Sequence, residues 1–578
     1  MTRKTTRDGH DPGMEATRLP VGHDHQRATM AFMPSLPSVL SERIRAVAGI
    51  DPELRPATRP QFGHFQTNVA LRLAPAQKLP PRAVAERLVA ELDLDDVCEP
   101  PEVAGPGFIN LRLRADVLAQ AATDVLADPR CGIPATGRPQ RVVVDYSSPN
   151  VAKQMHVGHL RTTIIGDCFN RILTALGDTV IPQNHIGDWG RQFGMLIEQI
   201  LDEDLDLDTL NLAGAEALYL RAHQHLEDDP AFADRARTRV VALQGGDEAT
   251  QAIWQRLIAL SLRGFNQTYA RLGVLLTDAD VDGESSYNDQ LADICDDLEA
   301  RGVAHMDNGA LVCFVPGFDA PAILRNSAGG YGYDVTDVAA VRRRVDDMRA
   351  TRLVYVTDAR QADHFAKVFG VCRMAGYLPD AVSAEHVGYG MVLGTDGHPF
   401  KTREGTAAYL DDLLDAAEQV AAPEVALAAI KYADLSNRLQ KDYVFDADRM
   451  VRTTGDTGPY LQYAHARVCQ ILRKADAEGL AGTYERVGVV AEPAEQTLAL
   501  ALSRFGETVA LVGETLQPHR LCGYLFELAT ALSVFYETCP VLKSDGDVRA
   551  SRLALCRATQ RVLAQGLGLL GIDAPERM

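Results

Sequence analysis

The pattern of hydrophobic and polar positions predicts a βαβ unit near residue 150. Residues 142–144 are three consecutive valines, a β-branched run typical of a strand that is buried on both faces. The segment that follows places apolar residues on one side of a helix, at Leu160, Ile164, Ile165, Cys168, Ile172 and Leu176. Gly177 and Asp178 end that helix, and residues 179–182 begin a second strand. Strand, helix and strand in this order indicate part of a parallel sheet.

A smaller α/β module is predicted before this unit, over residues 34–126. Helical apolar spacing occurs at residues 36–47 and again at residues 81–92. An alternating strand follows a glycine-containing turn at residues 108–113. Residues 1–33 mix His, Arg, Asp, Gly and Thr without any period, and we expect them to form a disordered leader.

The pattern after the βαβ unit predicts an interrupted sheet and then a helical domain. Candidate strands are residues 311–315, residues 353–357 and the region around Val392. A mostly helical stretch at about 198–280 is interpreted as an insertion between the two halves of the sheet. Residues 411–578 are almost wholly helical in pattern.

Composition narrows the class of protein. The chain is 46% hydrophobic and 24% charged, as ordinary globular proteins are. No apolar run approaches the roughly 20 residues that span a bilayer, and the N-terminus lacks the apolar core of a secretory signal. Ten cysteines are scattered without a CxxC pair, which predicts reduced thiols in a cytoplasmic protein and no structural zinc. We expect no membrane partner.

The formal net charge of −20 argues against a surface that wraps nucleic acid on all sides, and we expect no DNA partner. A local basic face for RNA remains compatible with this charge, because binding depends on where Lys and Arg lie.

Candidate phosphate chemistry lies at the start of the helix in the βαβ unit. His156 and His159 are three residues apart and share the first turn, where a helix N-terminus attracts anions. Gly158 between them leaves room for a flat base or ribose. A chance HxxH or half of a metal site is the alternative. The buried strand and the Ser-Pro-Asn turn before the histidines favour the phosphate interpretation.

These residues resemble a known family. The segment SSPNVAKQMHVGHLRTTIIGD at residues 147–167 is similar to the HIGH signature of class I aminoacyl-tRNA synthetases, and more narrowly to arginyl-tRNA synthetases. Further similar segments follow in the same order from about residue 34 to 578, and they are FGHFQTNVA, AGPGFINL, NHIGDWGRQFGMLI, ESSY, GYDVTDVAAV, VYVTDARQADHF, PFKTREG, TGPYLQYAHAR and APERM.

The resemblance implies a fold and a reaction. It implies an α/β Rossmann-type parallel-sheet catalytic core at residues 140–410 with the helical insertion, an additional tRNA-binding module at 34–126, and an all-α anticodon-binding bundle at 411–578. The implied enzyme is an arginine–tRNA ligase that activates L-arginine with ATP and transfers it to the terminal ribose of tRNA(Arg). AMP and pyrophosphate are released, Mg²⁺ is the implied counter-ion of ATP, and a monomer that needs tRNA for the first step is expected.

The resemblance also implies roles for individual residues. The implied catalytic residues are Lys153, His156, His159, Lys401 and Arg403, where Arg403 replaces a usual lysine and Lys153 compensates for it. The implied ATP-binding residues are His156, Gly158, His159, Met391, Val392 and Lys401. The implied arginine-binding residues are Asn150, Asn184, Glu284, Tyr333, Asp337 and Gln361, consistent with the carboxylates that a guanidinium requires. The implied tRNA-binding residues are Phe65, Asn68, Tyr460, Tyr463, Arg467 and Tyr524.

Two departures from the family pattern lie near the implied arginine pocket. Residues 325–330 read RNSAGG where members often read RKSDGG, and Asp334 stands where the family prefers a small residue. The departures leave two alternatives open. The chain could be a divergent duplicate that serves inhibitor resistance or a biosynthetic pathway, or a tRNA-binding protein without catalysis.

Overall fold

The computed structural model describes residues 35–57, 59–400 and 409–578. The expected leader at residues 1–33 lies outside the described residues, and so do Lys401 and Arg403. Of the helices within the described ranges, none has the length and apolar character that crossing a bilayer requires.

The described residues form the following elements in chain order. The helices are α1 Leu36–Ala48, α2 Val69–Gln77, α3 Pro81–Glu91, α4 Ala115–Ala127, α5 Val157–Ala175, α6 Gln192–Asp202, α7 Leu212–Asp228, α8 Pro230–Gln244, α9 Glu248–Leu272, α10 Asn288–Ala300, α11 Tyr333–Asp346, α12 Ala362–Ala375, α13 Leu410–Glu418, α14 Pro423–Leu435, α15 Ala447–Met450, α16 Gly458–Ala477, α17 Pro493–Ser503, α18 Phe505–Thr515, α19 His519–Thr538 and α20 Gly546–Leu569. The strands are β1 Arg55–Pro56, β2 Phe65–Thr67, β3 Glu102–Ala104, β4 Phe108–Leu111, β5 Arg141–Asp145, β6 Thr179–Gln183, β7 His305–Asp307, β8 Ala310–Cys313, β9 Ala322–Arg325, β10 Arg352–Asp358, β11 Ser383–Tyr389, β12 Val392–Leu393 and β13 Tyr443–Val444.

The first module is an antiparallel sheet in the order β1-β2-β4-β3, and α1 to α4 accompany it. The predicted helices at residues 36–47 and 81–92 are confirmed as α1 and α3. The predicted strand at 108–113 ends earlier, at Leu111, and Leu113 forms only an isolated bridge with Cys98.

The central sheet is parallel throughout and has the order β11-β10-β5-β6. The strands predicted at 142–144, 179–182 and 353–357 are confirmed as β5, β6 and β10. The sequence did not predict β11, which lies at the edge of the sheet and is only partly buried. An edge strand needs no continuous apolar run, so its pattern gave no signal.

Two other predicted strands exist outside the central sheet. The strand at 311–315 is β8, the middle strand of a separate antiparallel sheet in the order β7-β8-β9. The strand near Val392 is β12, which pairs with β13. The expectation of one interrupted sheet was therefore wrong, because β8 and β12 belong to two separate smaller sheets.

The insertion and the C-terminal bundle are helical, as predicted. The insertion consists of α6 to α9, and Tyr269 and Leu272 of α9 join the main hydrophobic core. The bundle of α13 to α20 attaches to α5 through an ion pair between Arg161 and Asp434, whose side chains are 1% and 0% exposed. Arg161 also donates to the carbonyl oxygen of Lys441 at 3.1 Å. A buried pair of this kind fixes two elements because separating it leaves unpaired charges away from water.

Candidate active site

The loop between β5 and α5 has an unusual backbone. Ser147, Ser148 and Ala152 have φ values of 74°, 49° and 61°. Residues other than glycine rarely adopt this left-handed region, because the Cβ atom crowds the backbone. Strain of this kind persists only where surrounding contacts hold it, and it clusters at functional sites.

Buried side chains from distant segments hold this loop. Thr162 Oγ1 accepts a hydrogen bond from Ser147 N–H at 3.0 Å, and Asn184 Oδ1 accepts one from Ser148 N–H at 3.1 Å. From α9, Ser261 Oγ accepts from Ala152 N–H at 2.9 Å. The insertion is therefore part of the support of the loop.

Tyr269 of α9 completes this support. Its hydroxyl lies 2.7 Å from Ser147 Oγ and accepts from Asn184 Nδ2 at 3.0 Å. Asn184 is 1% exposed and uses its amide within the protein. The sequence predicts that Asn184 contacts the amino acid, and in the structure its side-chain amide is bonded to Ser148 of the loop and to Tyr269. Sequence reasoning did not identify Tyr269 or Ser261, which lie in a helical stretch without a motif.

His156 and His159 cap the first turn of α5 for each other. Nδ1 of His156 accepts from Gly158 N–H at 3.0 Å, and Nδ1 of His159 accepts from His156 N–H at 3.1 Å. Burial lowers the pKa of His156, and burial together with His156 lowers the pKa of His159 to about 3. Both rings are neutral at pH 7, and each carries its proton on Nε2. The site therefore presents two N–H donors that suit phosphate oxygens.

Two glycines make room for these side chains. A Cβ on Gly158 would lie 2.7 Å from the ring of His156. A Cβ on Gly187 would lie 2.4 Å from Oδ1 of Asn150, which is exposed and bridges to Gly187. The HVGH and HIGD segments therefore need glycine for close packing around the site.

Lys153 lies between the histidines and the insertion. Its Nζ is 4.3 Å from the ring centroid of Tyr219 on α7, a cation–π contact. Glu216, one turn earlier on α7, accepts from the backbone N–H and the side-chain amide of Gln154 at 3.2 and 3.1 Å. Sequence reasoning missed both α7 residues, because nothing in the pattern of a solvated helix marks them.

The segment that contains Lys401 and Arg403 has described flanks on both sides. Before it, Phe400 N–H donates to the carbonyl oxygen of Val392, a buried residue of β12, and Met391 is 41% exposed. After it, Tyr409 pairs with His156 in an isolated antiparallel bridge. Both flanks are thus anchored, and the second is anchored directly to the histidines.

The residues predicted to bind arginine lie at the start of α11 and around it. Tyr333 is the first residue of α11 and is 73% exposed, and Asp337 lies one turn later on the same face. Burial, Asp188 and Asp337 raise the pKa of Glu284 to about 8. Gln361 is exposed at the start of α12. Glu284 therefore lies close enough to Asp188 and Asp337 to interact with them electrostatically, and several carboxyl groups share this end of the site.

Two further residues at this end were not predicted. Asp188 accepts hydrogen bonds from Ser285 N–H at 2.8 Å and from Ser285 Oγ at 2.6 Å, and burial raises its pKa. His364 lies 2.6 Å from Asp337 through Nε2. Both residues lie within segments that resemble the family. The resemblance therefore marked the segments, but it did not indicate a role for these two residues.

The residues predicted to bind tRNA divide into surface and core positions. Tyr463 is 39% exposed, and the guanidinium of Arg467 lies 4.7 Å from its ring centroid. Tyr460 is half-buried, with its hydroxyl 3.2 Å from Ser533 Oγ. Tyr524 is 3% exposed and donates to the carbonyl oxygen of Ala501. Tyr524 therefore packs in the bundle core in this structure.

Two further predicted tRNA contacts belong to the first module. Phe65 is 6% exposed and belongs to the core, and Asn68 is half-buried at the start of α2. No described group bonds to Oδ1 of Asn68.

Three family profiles match the chain in succession. Residues 35–113 match "Arginyl tRNA synthetase N terminal domain", residues 121–426 match "tRNA synthetases class I (R), catalytic domain", and residues 461–578 match "DALR anticodon binding domain".

Curated relatives and solved structures match over most of the chain. An arginine–tRNA ligase of Cutibacterium acnes is 66% identical over 94% of this chain and 100% of its own. One of Thermobifida fusca is 47% identical over 94% of this chain and 99% of its own. The structure of the Plasmodium falciparum arginyl-tRNA synthetase matches with a TM-score of 0.79 at 26% identity, over 95% of this chain and 100% of its own. That of Thermus thermophilus matches with a TM-score of 0.77 at 28% identity, over 94% and 100%.

Proposed function

The chain belongs to the arginyl-tRNA synthetases, and from this premise we propose that it ligates L-arginine to tRNA(Arg) with ATP through the site described above. The observation that supports this use of the site most strongly is the pair of Nε2–H donors of His156 and His159 at the start of α5. Both side chains lie at the start of the helix that follows a parallel strand, which is where enzymes with this kind of sheet bind phosphate.

In the first step, a carboxylate oxygen of arginine attacks the α-phosphorus of ATP and displaces pyrophosphate, which gives arginyl-adenylate. His156 and His159 donate to oxygens that gain negative charge during the attack, and Lys153 neutralises part of that charge. In the second step, the terminal ribose hydroxyl of the tRNA attacks the carbonyl carbon and AMP leaves. Catalysis therefore consists of positioning and charge stabilisation.

Arginine is recognised by charge and shape at the start of α11. Asp337 and Glu284 accept from the guanidinium, Tyr333 and Gln361 line its path, and Asn150 lies near the amino group. Asn184 contributes by holding the loop. Burial keeps Glu284 protonated below about pH 8, and a bound guanidinium would favour its ionised form.

The remaining ATP contacts are proposed for the region of β12. Met391 and Val392 would contact the base, and Gly158 leaves room for the nucleoside. Lys401 and Arg403 would bind the leaving pyrophosphate, because Tyr409, which follows their segment, pairs with His156. Mg²⁺ would bind together with ATP through the phosphate oxygens, since the N–H donors of the site suit phosphate oxygens and not a hard cation.

Binding of tRNA is proposed for both ends of the chain. The module at 34–126 would bind tRNA through a surface near Asn68, and the bundle at 411–578 would bind the anticodon through Tyr460, Tyr463 and Arg467. Phe65 and Tyr524 would support these surfaces from the core. We place the catalytic domain at 140–410 with its insertion at about 198–280, and we propose that the enzyme acts as a monomer in the cytoplasm.

The test is arginine-dependent exchange of pyrophosphate into ATP, with and without tRNA(Arg). Exchange is expected only with arginine and tRNA present, and His159→Ala should slow it strongly. No exchange in the presence of chargeable tRNA would overturn the proposal and favour a protein without catalysis. A preference for lysine or canavanine would overturn the assignment of Asp337 and Glu284. None of the observations favours a specialised duplicate.

A further inference from the structure

His364 lies between two carboxylates at the arginine end of the site. Its Nδ1 is 3.0 Å from Oδ1 of Asp334, and its Nε2 is 2.6 Å from Oδ2 of Asp337. The two carboxylates come from the first turns of α11, and His364 comes from the first turn of α12. A carboxylate only accepts hydrogen bonds, so an imidazole between two carboxylates donates through both nitrogens and carries a positive charge.

The contacts around these three side chains fix them further. Oδ2 of Asp334 accepts from the backbone N–H of Ile323 on β9 at 2.6 Å. The ring of His364 meets Phe365 edge to face at 5.1 Å. The other titratable groups that interact electrostatically with the three side chains are His386 on β11, Lys367 and Cys372 on α12, Tyr355 on β10 and Glu284 in the turn at 284–287.

The protonation of the group follows from these contacts. Burial lowers the pKa of His364, but Asp334 and Asp337 outweigh burial and raise it to about 9. Burial raises the pKa of Asp334, but hydrogen bonds from His364 and from Ile323 N–H outweigh that effect and lower it. At neutral pH the group is therefore one cation between two anions.

We propose that Asp334 and His364 act as positioning residues that fix the carboxylate of Asp337 for the guanidinium of arginine, and that they thereby set the affinity of the enzyme for arginine. The proposal rests on the proposed function, which gives Asp337 its contact with the substrate. The bond from His364 uses Oδ2 of Asp337, so Oδ1 is the oxygen left for the guanidinium. Asp334 holds the imidazole from the other side and keeps it in place when the guanidinium arrives.

Asp334 is also one of the two departures from the family pattern. A small residue at this position would leave Nδ1 of His364 without its carboxylate partner, and the imidazole would lose one of its two anchors. The departure thus adds an anchor to the pocket. Since the side chains of Asp334 and His364 are only 17% and 27% exposed, solvent would replace this anchor poorly.

The pH dependence follows from the loss of one proton. A neutral His364 can donate to only one of its two carboxylates at a time, so the orientation of Asp337 weakens above the pKa of the ring. In the wild type, the KM for arginine should therefore rise as the pH rises through about 9. Asp334→Asn removes one of the two anions, lowers the pKa of His364, and moves this rise to lower pH.

The experiment measures the KM for arginine and kcat by pyrophosphate exchange with tRNA present, from about pH 7 to about pH 10. The variants are Asp334→Asn, the conservative Asp334→Glu, and the control Asp363→Asn, which removes an exposed carboxylate next to His364 in sequence. The α-amino group of free arginine titrates in the same range, so the quantity compared is the ratio of variant KM to wild-type KM at each pH.

For Asp334→Asn the ratio should reach about five, the effect of one lost hydrogen bond, below pH 9, with kcat nearly unchanged. It should return toward one at higher pH, where the wild type also loses its anchor. Asp334→Glu should restore most of the affinity, and Asp363→Asn should behave as wild type. A ratio of one at every pH, or a loss confined to kcat, would overturn the proposal.

A second measurement needs no substrate. NMR titration of the ¹³C-labelled imidazoles of the free protein, with His364→Gln to identify the signal, should show His364 titrating near 9. In Asp334→Asn it should titrate closer to the ordinary value of about 6.5. An ordinary value in the wild type overturns the positioning role alone, whereas absence of arginine-dependent exchange overturns the proposed function.

Discussion

Tyr269→Phe tests whether the insertion holds the loop between β5 and α5 in its strained form. The hydroxyl of Tyr269 is bonded to Ser147 at 2.7 Å and to Asn184 at 3.0 Å, and all three residues are buried. The substitution removes both bonds and keeps the packing of the ring. Two buried polar groups at the base of the loop are then left without this partner.

The expected magnitude follows from the two bonds and the strain of the loop. Each bond contributes about 1 kcal/mol net, so the loss is about 2 kcal/mol. Each of the three left-handed residues costs about 1–2 kcal/mol. The strain of the three residues is therefore about 3–6 kcal/mol in total, more than the two bonds contribute, and the loop should relax before the fold is lost. Because 1.4 kcal/mol is a factor of ten, about 2 kcal/mol predicts a roughly 30-fold fall in kcat/KM for ATP.

The assay is pyrophosphate exchange at saturating arginine and tRNA, together with thermal unfolding. Tyr432→Phe is the matched control, because the Tyr432 hydroxyl also has two hydrogen-bond partners, Asp456 and the carbonyl oxygen of the buried Cys522, but lies in the bundle. It should lower stability and leave kcat/KM for ATP close to wild type. If Tyr269→Phe stays within about twofold of wild type, the bonds do not hold the loop and the reasoning is refuted.

Three further predictions concern charged groups. Tyr219→Leu removes the ring that holds Lys153 and should raise the KM for ATP by up to about fivefold, whereas Tyr219→Phe should not. Because the pKa of Glu284 is raised to about 8, the carboxyl is neutral below that pH, so the KM for arginine should fall as the pH rises through 8, before the rise that the loss of the His364 proton causes at about 9. Glu284→Gln should abolish this fall, which a KM profile over pH will show. Asp434→Asn leaves Arg161 buried without its partner and should lower the unfolding free energy by about 3–5 kcal/mol in denaturant titration, whereas Glu527→Gln at an exposed pair should cost at most about 1 kcal/mol.

Much of the fold could be predicted because buried strands and helices repeat apolar residues at fixed periods. The valines of β5 are buried on both faces and were visible in the sequence. In contrast, β11 is an edge strand with one open side, and it carries Glu385 and His386 in its middle. Its sequence therefore lacks the apolar pattern that predicts a strand. Pattern alone also could not assign β8 to a separate sheet, since pairing partners are chosen by tertiary packing.

The site could be predicted where its residues share one local segment. His156, Gly158 and His159 form a single turn, so their spacing alone predicted that they lie together. Their support comes from Tyr269 and Tyr219, more than fifty residues further along the chain, and a sequence without contacts does not link them. The sequence also could not predict that Tyr524 lies in the core, because aromatic residues of helical bundles serve both core packing and base stacking.

The ion pair of Arg161 and Asp434 has a mechanical consequence. Arg161 lies one turn beyond the histidines on α5, and Asp434 lies in α14 of the bundle. If α14 moves while the ion pair stays intact, the first turn of α5 moves with it. Binding at the bundle surface that displaces α14 can thus be transmitted to the turn that carries His156 and His159.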